Sequence, residues 1–212
     1  FVLLSETLWP GVLSLMHLPR LSAEGGLWDG LAALLPAAAG ALAGVAYLQF
    51  RAGVEGLLED RGAGVFWAPV AGGLALGLLC TLAPALLFSG HEQLAEVAES
   101  GLDRGWPALV LLGTGKALAC AICIGSGWRG GVIFPMCFAG GALGAATLAL
   151  LPDVDPALGV AAGMASAAAV GMARPIVAGL IMLFIVGGGL AGAVFTGALV
   201  GWAVLNALPA RL

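Results

Sequence analysis

Long uncharged apolar runs constrain this chain more than any other feature. Residues 30–50 and 62–90 contain no Asp, Glu, Lys or Arg, and each run is long enough for the roughly 20 residues that cross a hydrocarbon core as a helix. Over all 212 residues, 61% are hydrophobic and 9% are charged, whereas soluble domains have about 25% charged residues. The composition therefore predicts an integral membrane protein. The small net charge of −4 argues against a nucleic-acid partner.

Glycine and proline divide the apolar sequence into helices of unequal length. We predict an all-α, polytopic fold with about seven or eight helices. The predicted segments cover residues 30–50, 65–82, 106–124, 136–151, 157–170, 175–186 and 190–208, after an apolar stretch at residues 1–18. Short helices that are interrupted by Gly or Pro are typical of transporters with a binding site at mid-depth. Gly40 and Gly44 form a GxxxG pattern, which predicts a close helix crossing.

A glycine-rich stretch at residues 125–135, with the sequence GSGWRGGVIFP, lies between two apolar segments. Non-helical backbone at membrane depth is tolerated where it is buried in protein or lines a polar cavity. We expect Val132, Ile133 and Phe134 to open the next helix, with amide N–H groups that have no intrahelical partner. Such groups attract anions, and glycine allows a ligand to approach the backbone closely. The stretch therefore predicts an anion held by backbone amides inside the membrane.

The same stretch resembles the signature Gly-Ser-Gly-x-x-Gly-Gly-x-Phe-x-Pro of the CLC family of chloride channels and chloride/proton exchangers. The aromatic residue falls at Phe134, and Ile133 stands where the family usually has Phe. A weaker resemblance extends from about residue 27 to residue 205. The positions that match the signature are Gly125, Ser126, Gly127, Gly130, Gly131 and Pro135.

The resemblance implies chloride transport by a CLC-type fold of tilted and partially spanning helices, of which residues 1–212 are the C-terminal half of an inverted repeat. It implies an anion site at Gly131, Val132, Ile133, Phe134 and Pro135. The first-half loops that carry the family's serine ligand and gating glutamate do not occur in this sequence. A channel and a proton-coupled exchanger therefore both remain open at this point, and so does a different anion carried by another inverted-repeat transporter.

The resemblance also implies partners and a location. We expect chloride, the lipid bilayer and a second copy of the protein as partners, with no metal and no cofactor. The expected membrane is the plasma membrane of a bacterium. Residues 175–186 and 190–208 resemble the segments that form the family's homodimer interface, where the sequence places small residues at Gly188, Gly189, Gly192 and Gly197.

Charged residues within apolar sequence are further candidates. Lys116 interrupts residues 106–124, and an intramembrane charge is costly enough to suggest a function. Lys116, together with Arg129 in the glycine loop, could raise the potential along the anion route. Alternatively, Lys116 snorkels to an interface or pairs structurally. Glu92, Glu96 and Glu99 share one helix face, which is either solvated or part of a proton path.

Other polar positions favour structural roles. Cys120 and Cys123 have the spacing of a redox or metal motif, but they lie in the middle of a predicted helix, and we expect buried packing cysteines. A membrane enzyme that uses these cysteines or the His91-Glu92 pair would need several titratable groups to converge, and we do not expect one. Tyr47 is expected to be a buried or interfacial anchor, and an Arg51–Glu55 pair is expected along a helical extension.

Overall fold

The computed structural model describes residues 27–87, 105–151 and 153–209. Within these ranges the regular structure is helical and contains no strand, which confirms the all-α prediction. Three short 3-10 turns lie at Pro84–Leu86, Thr147–Leu150 and Gly188–Leu190. The described part contains the α-helices α1 (Leu27–Ala32), α2 (Leu34–Asp60), α3 (Trp67–Leu82), α4 (Trp106–Gly125), α5 (Ile133–Ala146), α6 (Pro156–Met172), α7 (Pro175–Val186) and α8 (Ala191–Ala207).

Helix lengths differ widely, as predicted. Among the described residues, four helical stretches are long and apolar enough to cross a membrane: Gly30–Asp60, Trp106–Gly125, Ile133–Leu150 and Gly188–Ala207. Helices α3, α6 and α7 are apolar but shorter. The sequence predicted a full span for α3, but this helix has 16 residues and is only about 24 Å long at 1.5 Å per residue. It is therefore shorter than a typical hydrocarbon core.

Helix α6 forms the centre of the described structure. Every residue from Ala157 to Val170 is buried, and α2, α5, α7 and α8 all pack against this helix. Most of its residues are Ala or Gly, whose small side chains let neighbouring backbones approach closely. Helix α4 packs against α2 and α5, and α3 packs on the outside of α4. The central position of α6 thus follows from its small residues.

Three helices meet at Gly163. A Cβ atom added to Gly40 of α2 or to Gly140 of α5 would overlap the carbonyl oxygen of Gly163 in α6. A Cβ on Gly44, one turn after Gly40, would lie 2.5 Å from the Cβ of Val170. The close crossing that the GxxxG pattern predicted is therefore confirmed. This crossing joins α2 to α6, and Gly163 of α6 also contacts Gly140 of α5.

The chain turns sharply between the short helices because of local capping residues. At the start of α6, the Asp155 carboxylate accepts a hydrogen bond of 2.9 Å from the amide of Ala157, which is a standard N-cap arrangement. The helix ends at Met172, and its C-cap residue Ala173 is left-handed, with a φ of 52°. Arg174, with φ −141° and ψ 74°, lies outside the α region, as expected for a residue before proline, and Pro175 begins α7.

Two sequence expectations about α2 are confirmed, and one about α8 is corrected. Tyr47 is fully buried, and Arg51 Nε lies 2.8 Å from the Glu55 carboxylate along the helical extension. Gly197 was expected on a dimer surface, but a Cβ there would overlap the carbonyl of Ala162. Gly197 therefore packs α8 against α6. The expectations for residues 1–18 and for His91, Glu92, Glu96 and Glu99 lie outside the described residues.

Candidate anion site

The glycine loop joins the end of α4 at Gly125 to the start of α5 at Ile133. Its first three residues fold back on α4, because the amides of Ser126, Gly127 and Trp128 donate to α4 carbonyls at 3.1 Å. Gly127 has a φ of 93°, and a side chain would strain this left-handed conformation. The first part of the loop is therefore a defined C-terminal cap.

Side chains of the loop attach it to the first turns of α3. The Ser126 hydroxyl is buried and donates to the Ile122 carbonyl at 2.6 Å. It occupies the space opposite Gly72, where an added Cβ would overlap it. The Trp128 indole Nε1 donates to the Pro69 carbonyl at 2.9 Å. No sequence pattern linked position 128 to position 69, and the Trp128 contact was not anticipated.

The start of α5 exposes backbone donors. Val132 is the N-cap, there is no side-chain cap, and the first turn contains no acidic residue. The first helical hydrogen bond runs from the Met136 amide to the Val132 carbonyl at 3.1 Å, and Pro135 has no N–H group. In the described part of the chain, the amides of Val132 and Ile133 have no hydrogen-bond acceptor. These amides carry the positive end of the helix dipole.

Gly130 and Gly131, which come just before this helix, have open space around them. A Cβ atom added to either glycine would have no described atom within 4 Å. Neither glycine has a positive φ. Neither packing nor backbone conformation in the described structure therefore explains glycine at these two positions. A requirement for access to the backbone would explain both.

A cavity of about 510 Å³ lies between α3, α4 and the loop. Among the residues that the structure describes, its lining includes Lys116 and Arg129 and no acidic side chain. The side chains of Val132 and Ile133 are partly buried and pack against the buried hydrophobic core instead. The lining residues are Leu76, Leu86, Leu87, Lys116, Ala119, Cys120, Cys123, Ile124, Trp128, Arg129, Gly130, Gly131, Phe134 and Pro135. The structure thus brings the basic residues Lys116 and Arg129 to the same cavity as Gly131, Phe134 and Pro135.

Lys116 is held in the interior. Its side chain is 1% exposed, and Nζ donates to the carbonyls of Leu86 at 3.0 Å and Leu87 at 3.1 Å. Nζ also lies 5.3 Å from the centroid of the Phe138 ring, within the range of a cation–π contact. The snorkelling alternative is therefore wrong. Lys116 pairs structurally with the turn after α3, and it is one of the residues that line the cavity.

The cysteines behave as packing residues. All four are free thiols, with Cys80, Cys120 and Cys137 buried and Cys123 partly buried. The residues described here contain no group of three His, Cys, Asp or Glu side chains that could hold a metal ion. Cys120 and Cys123 line the cavity, a position that their spacing on one helix did not predict.

Comparison with known proteins identifies the family. The sequence model of a family described as voltage gated chloride channel matches residues 7–208. The chain belongs to the voltage gated chloride channel family. This membership agrees with the helical membrane fold, and it does not favour a transporter of another inverted-repeat family. In this family member, the glycine loop and the start of α5 lie within the matched region.

Relatives from a plant and a bacterium align with parts of the chain. Chloride channel protein CLC-f of Arabidopsis thaliana is 34% identical over 80 residues, covering 36% of this chain and 10% of the plant protein. The H(+)/Cl(-) exchange transporter ClcA of Vibrio vulnificus is 32% identical over 131 residues in each of two strains. That alignment covers 59% of this chain and 27% of ClcA. This member of the voltage gated chloride channel family therefore spans only part of the relatives that it matches.

Proposed function

We propose that the protein containing this chain transports chloride across a membrane, and that residues 1–212 form the C-terminal half of its transmembrane domain. The observation that carries the proposal is the uncapped start of α5 beside a cavity whose described lining includes Lys116 and Arg129 and no acidic residue. Family membership supports the proposal. Two relatives also support it, because their names describe a chloride channel and an H(+)/Cl(-) exchanger.

The amides of Val132 and Ile133 bind the chloride ion in this proposal. They add hydrogen bonds to the roughly half positive charge at a helix N-terminus. Lys116 and Arg129 raise the local potential without contacting the ion. A directly paired cation would slow release, and conduction requires that the ion can leave. Gly130 and Gly131 come just before these amides and have open space around them, and in this proposal the missing Cβ atoms leave the approach to the amides open.

The rest of the proposal concerns the whole protein. It acts as a transporter and not as an enzyme, because the described residues of the site offer electrostatic binding and no converging acid–base pair. It needs neither a metal nor a cofactor. Its place is the plasma membrane of a bacterium, embedded in the lipid bilayer, and a second half of the domain supplies the remaining chloride ligands. The proposal applies to a channel and to a proton-coupled exchanger alike.

A second copy of the protein packs on the face formed by α7 and α8 in this proposal. A groove of about 1010 Å³ lies on this face, and its lining is almost wholly apolar apart from Arg174 and Asn206. Exposed apolar patches of this kind mark protein or lipid contacts. The large exposed apolar side chains that line this groove are Ile176, Val177, Leu180, Phe195, Leu199 and Trp202.

The proposed anion site is tested by Gly131→Val in the complete protein. The valine side chain would occupy the space in front of the amides, and we expect chloride efflux from proteoliposomes to be abolished. The matched control is Gly77→Val on α3, where an added Cβ meets no described atom within 4 Å, and we expect efflux close to wild type.

Anomalous scattering from bromide provides an independent measurement. We expect a bromide peak within hydrogen-bond distance of the Val132 and Ile133 amides, and loss of this peak in Gly131→Val. Bromide bound elsewhere with nothing at these amides would refute the site. Equal efflux from both glycine variants would also refute it.

A further inference from the structure

The glycine loop depends on α3 for its position. Trp128 donates its indole N–H to the Pro69 carbonyl at 2.9 Å, and Cζ2 of its ring lies 3.7 Å from the Cβ position of Gly73. On α3, three residues after Pro69, Gly72 leaves a space that the side chain of Ser126 fills. These contacts fix the loop against α3 and do not involve α5.

Trp128 is the last anchored residue before α5. Its amide donates to the Cys123 carbonyl at 3.1 Å, and its indole is bonded to α3. The following residues, Arg129 to Gly131, form no backbone hydrogen bond within the described part. A Cβ atom added to Gly130 or Gly131 would have no described atom within 4 Å. Three residues without a backbone hydrogen bond in the described part therefore bridge the distance from Trp128 to the proposed binding amides.

We propose that Trp128 is a positioning residue that holds the Arg129–Gly131 segment against α3 and so keeps the cavity in front of the α5 N-terminus accessible to the anion. The proposal rests on the proposed function and deepens it. The backbone amides bind the ion, whereas the indole hydrogen bond determines how much of the time the segment is clear of them. Trp128, Gly130 and Gly131 all line the same cavity, so movement of the segment changes the width of that cavity.

The first test is Trp128→Phe in the complete protein, which keeps an aromatic ring and removes the donor. Loss of one neutral hydrogen bond shifts such an equilibrium by about two- to tenfold. We expect the half-saturating chloride concentration for efflux to rise by that factor, with a smaller change in the maximal rate and no change in thermal midpoint. Trp106→Phe is the matched control, because Trp106 is exposed at the opposite end of α4.

The second test disturbs the neighbouring contact between Ser126 and α3, which fixes the same loop. In Gly72→Ala the new methyl group overlaps the Ser126 side chain, whereas in Gly77→Ala, on the same helix, it meets no described atom within 4 Å. We expect Gly72→Ala to raise the half-saturating concentration as Trp128→Phe does, and Gly77→Ala to leave it unchanged. Hydrogen–deuterium exchange of residues 126–131 should be faster in Trp128→Phe and Gly72→Ala than in both controls.

The outcomes separate the two proposals. A wild-type protein that moves no anion in liposomes overturns the proposed function. Wild-type transport with unchanged kinetics and unchanged exchange in Trp128→Phe overturns the positioning role alone. A lower thermal midpoint with an unchanged half-saturating concentration also overturns it, because Trp128 would then serve stability and not access.

Discussion

The glycine contact between α2, α5 and α6 makes Gly163→Ala a sharp test of the fold. A Cβ on Gly163 would overlap the carbonyl oxygen of Gly140 and lie 3.0 Å from the Cα of Gly144. Both neighbours are backbone atoms of α5, so no side-chain rotation can relieve the contact. Helix α5 would have to move away from α6.

The expected cost follows from this displacement. Forcing one extra methyl group into a closely packed interior costs about 1–3 kcal/mol. The higher helix propensity of Ala offsets at most about 1 kcal/mol of this cost. We therefore expect a net destabilisation of about 0–2 kcal/mol relative to wild type, and of about 1–3 kcal/mol relative to a Gly→Ala control that gains the same propensity without a contact. The thermal midpoint should be lower than that of the control.

The assay is thermal unfolding of the purified complete protein in detergent, followed by the loss of its monodisperse peak in size-exclusion chromatography. Gly77→Ala is the control, because it gains the same propensity without a contact. Gly140→Ala should cost a similar amount, because its methyl group meets the backbone of Gly163. The double variant should cost less than the sum, because one separation of α5 from α6 accommodates both methyl groups. A midpoint for Gly163→Ala equal to or above that of Gly77→Ala would refute the reasoning.

Three further predictions concern other parts of the molecule. Lys116→Met should lower the thermal midpoint, because the buried Leu86 carbonyl loses its donor at a cost of about 1–3 kcal/mol; an unchanged midpoint would contradict this role. Ser166→Ala should leave the midpoint equal or higher, because the buried Ser166 hydroxyl has no partner among the described residues; a clear decrease would show that the hydroxyl is satisfied. Leu180→Trp, on the α7–α8 face, should reduce the amount of cross-linked dimer in membranes. Leu78→Trp on α3, where the leucine is similarly exposed, should not reduce it. Equal amounts of dimer in both variants would exclude the α7–α8 face as the dimer interface.

Local sequence was sufficient for most of the helix boundaries. The uncharged apolar runs identified the helices, and prolines and glycines marked where they end. Pro84 follows the end of α3, Pro175 begins α7, and Gly187 ends α7. These signals are readable because they act on the backbone of their own residue or the one before it. The signature at residues 125–135 likewise identified the loop and the helix start at Ile133.

The start of α3 was predicted less well than its end, because the predicted segment begins at residue 65 and the helix begins two residues later. Residues 62–90 are uncharged throughout, and hydropathy does not show where a helix starts within such a run. The structure begins α3 at Trp67 and ends it at Leu82. Trp128 of the glycine loop donates a hydrogen bond to the first turn of α3, and Lys116 donates one to the turn that follows α3. Contacts with residues far along the chain therefore accompany both of its ends.

The sequence by itself determined that this is a helical membrane protein with a glycine loop before an uncapped helix start, because composition, hydropathy and turn residues are local properties. The tertiary structure alone decided what each isolated polar or small residue does. Lys116 could have snorkelled, but carbonyls 29 and 30 residues away hold it in the interior. Gly197 could have faced a second copy, but it faces α6. In both cases the sequence specified the side chain, and the partner was set by a long-range contact that no local pattern encodes.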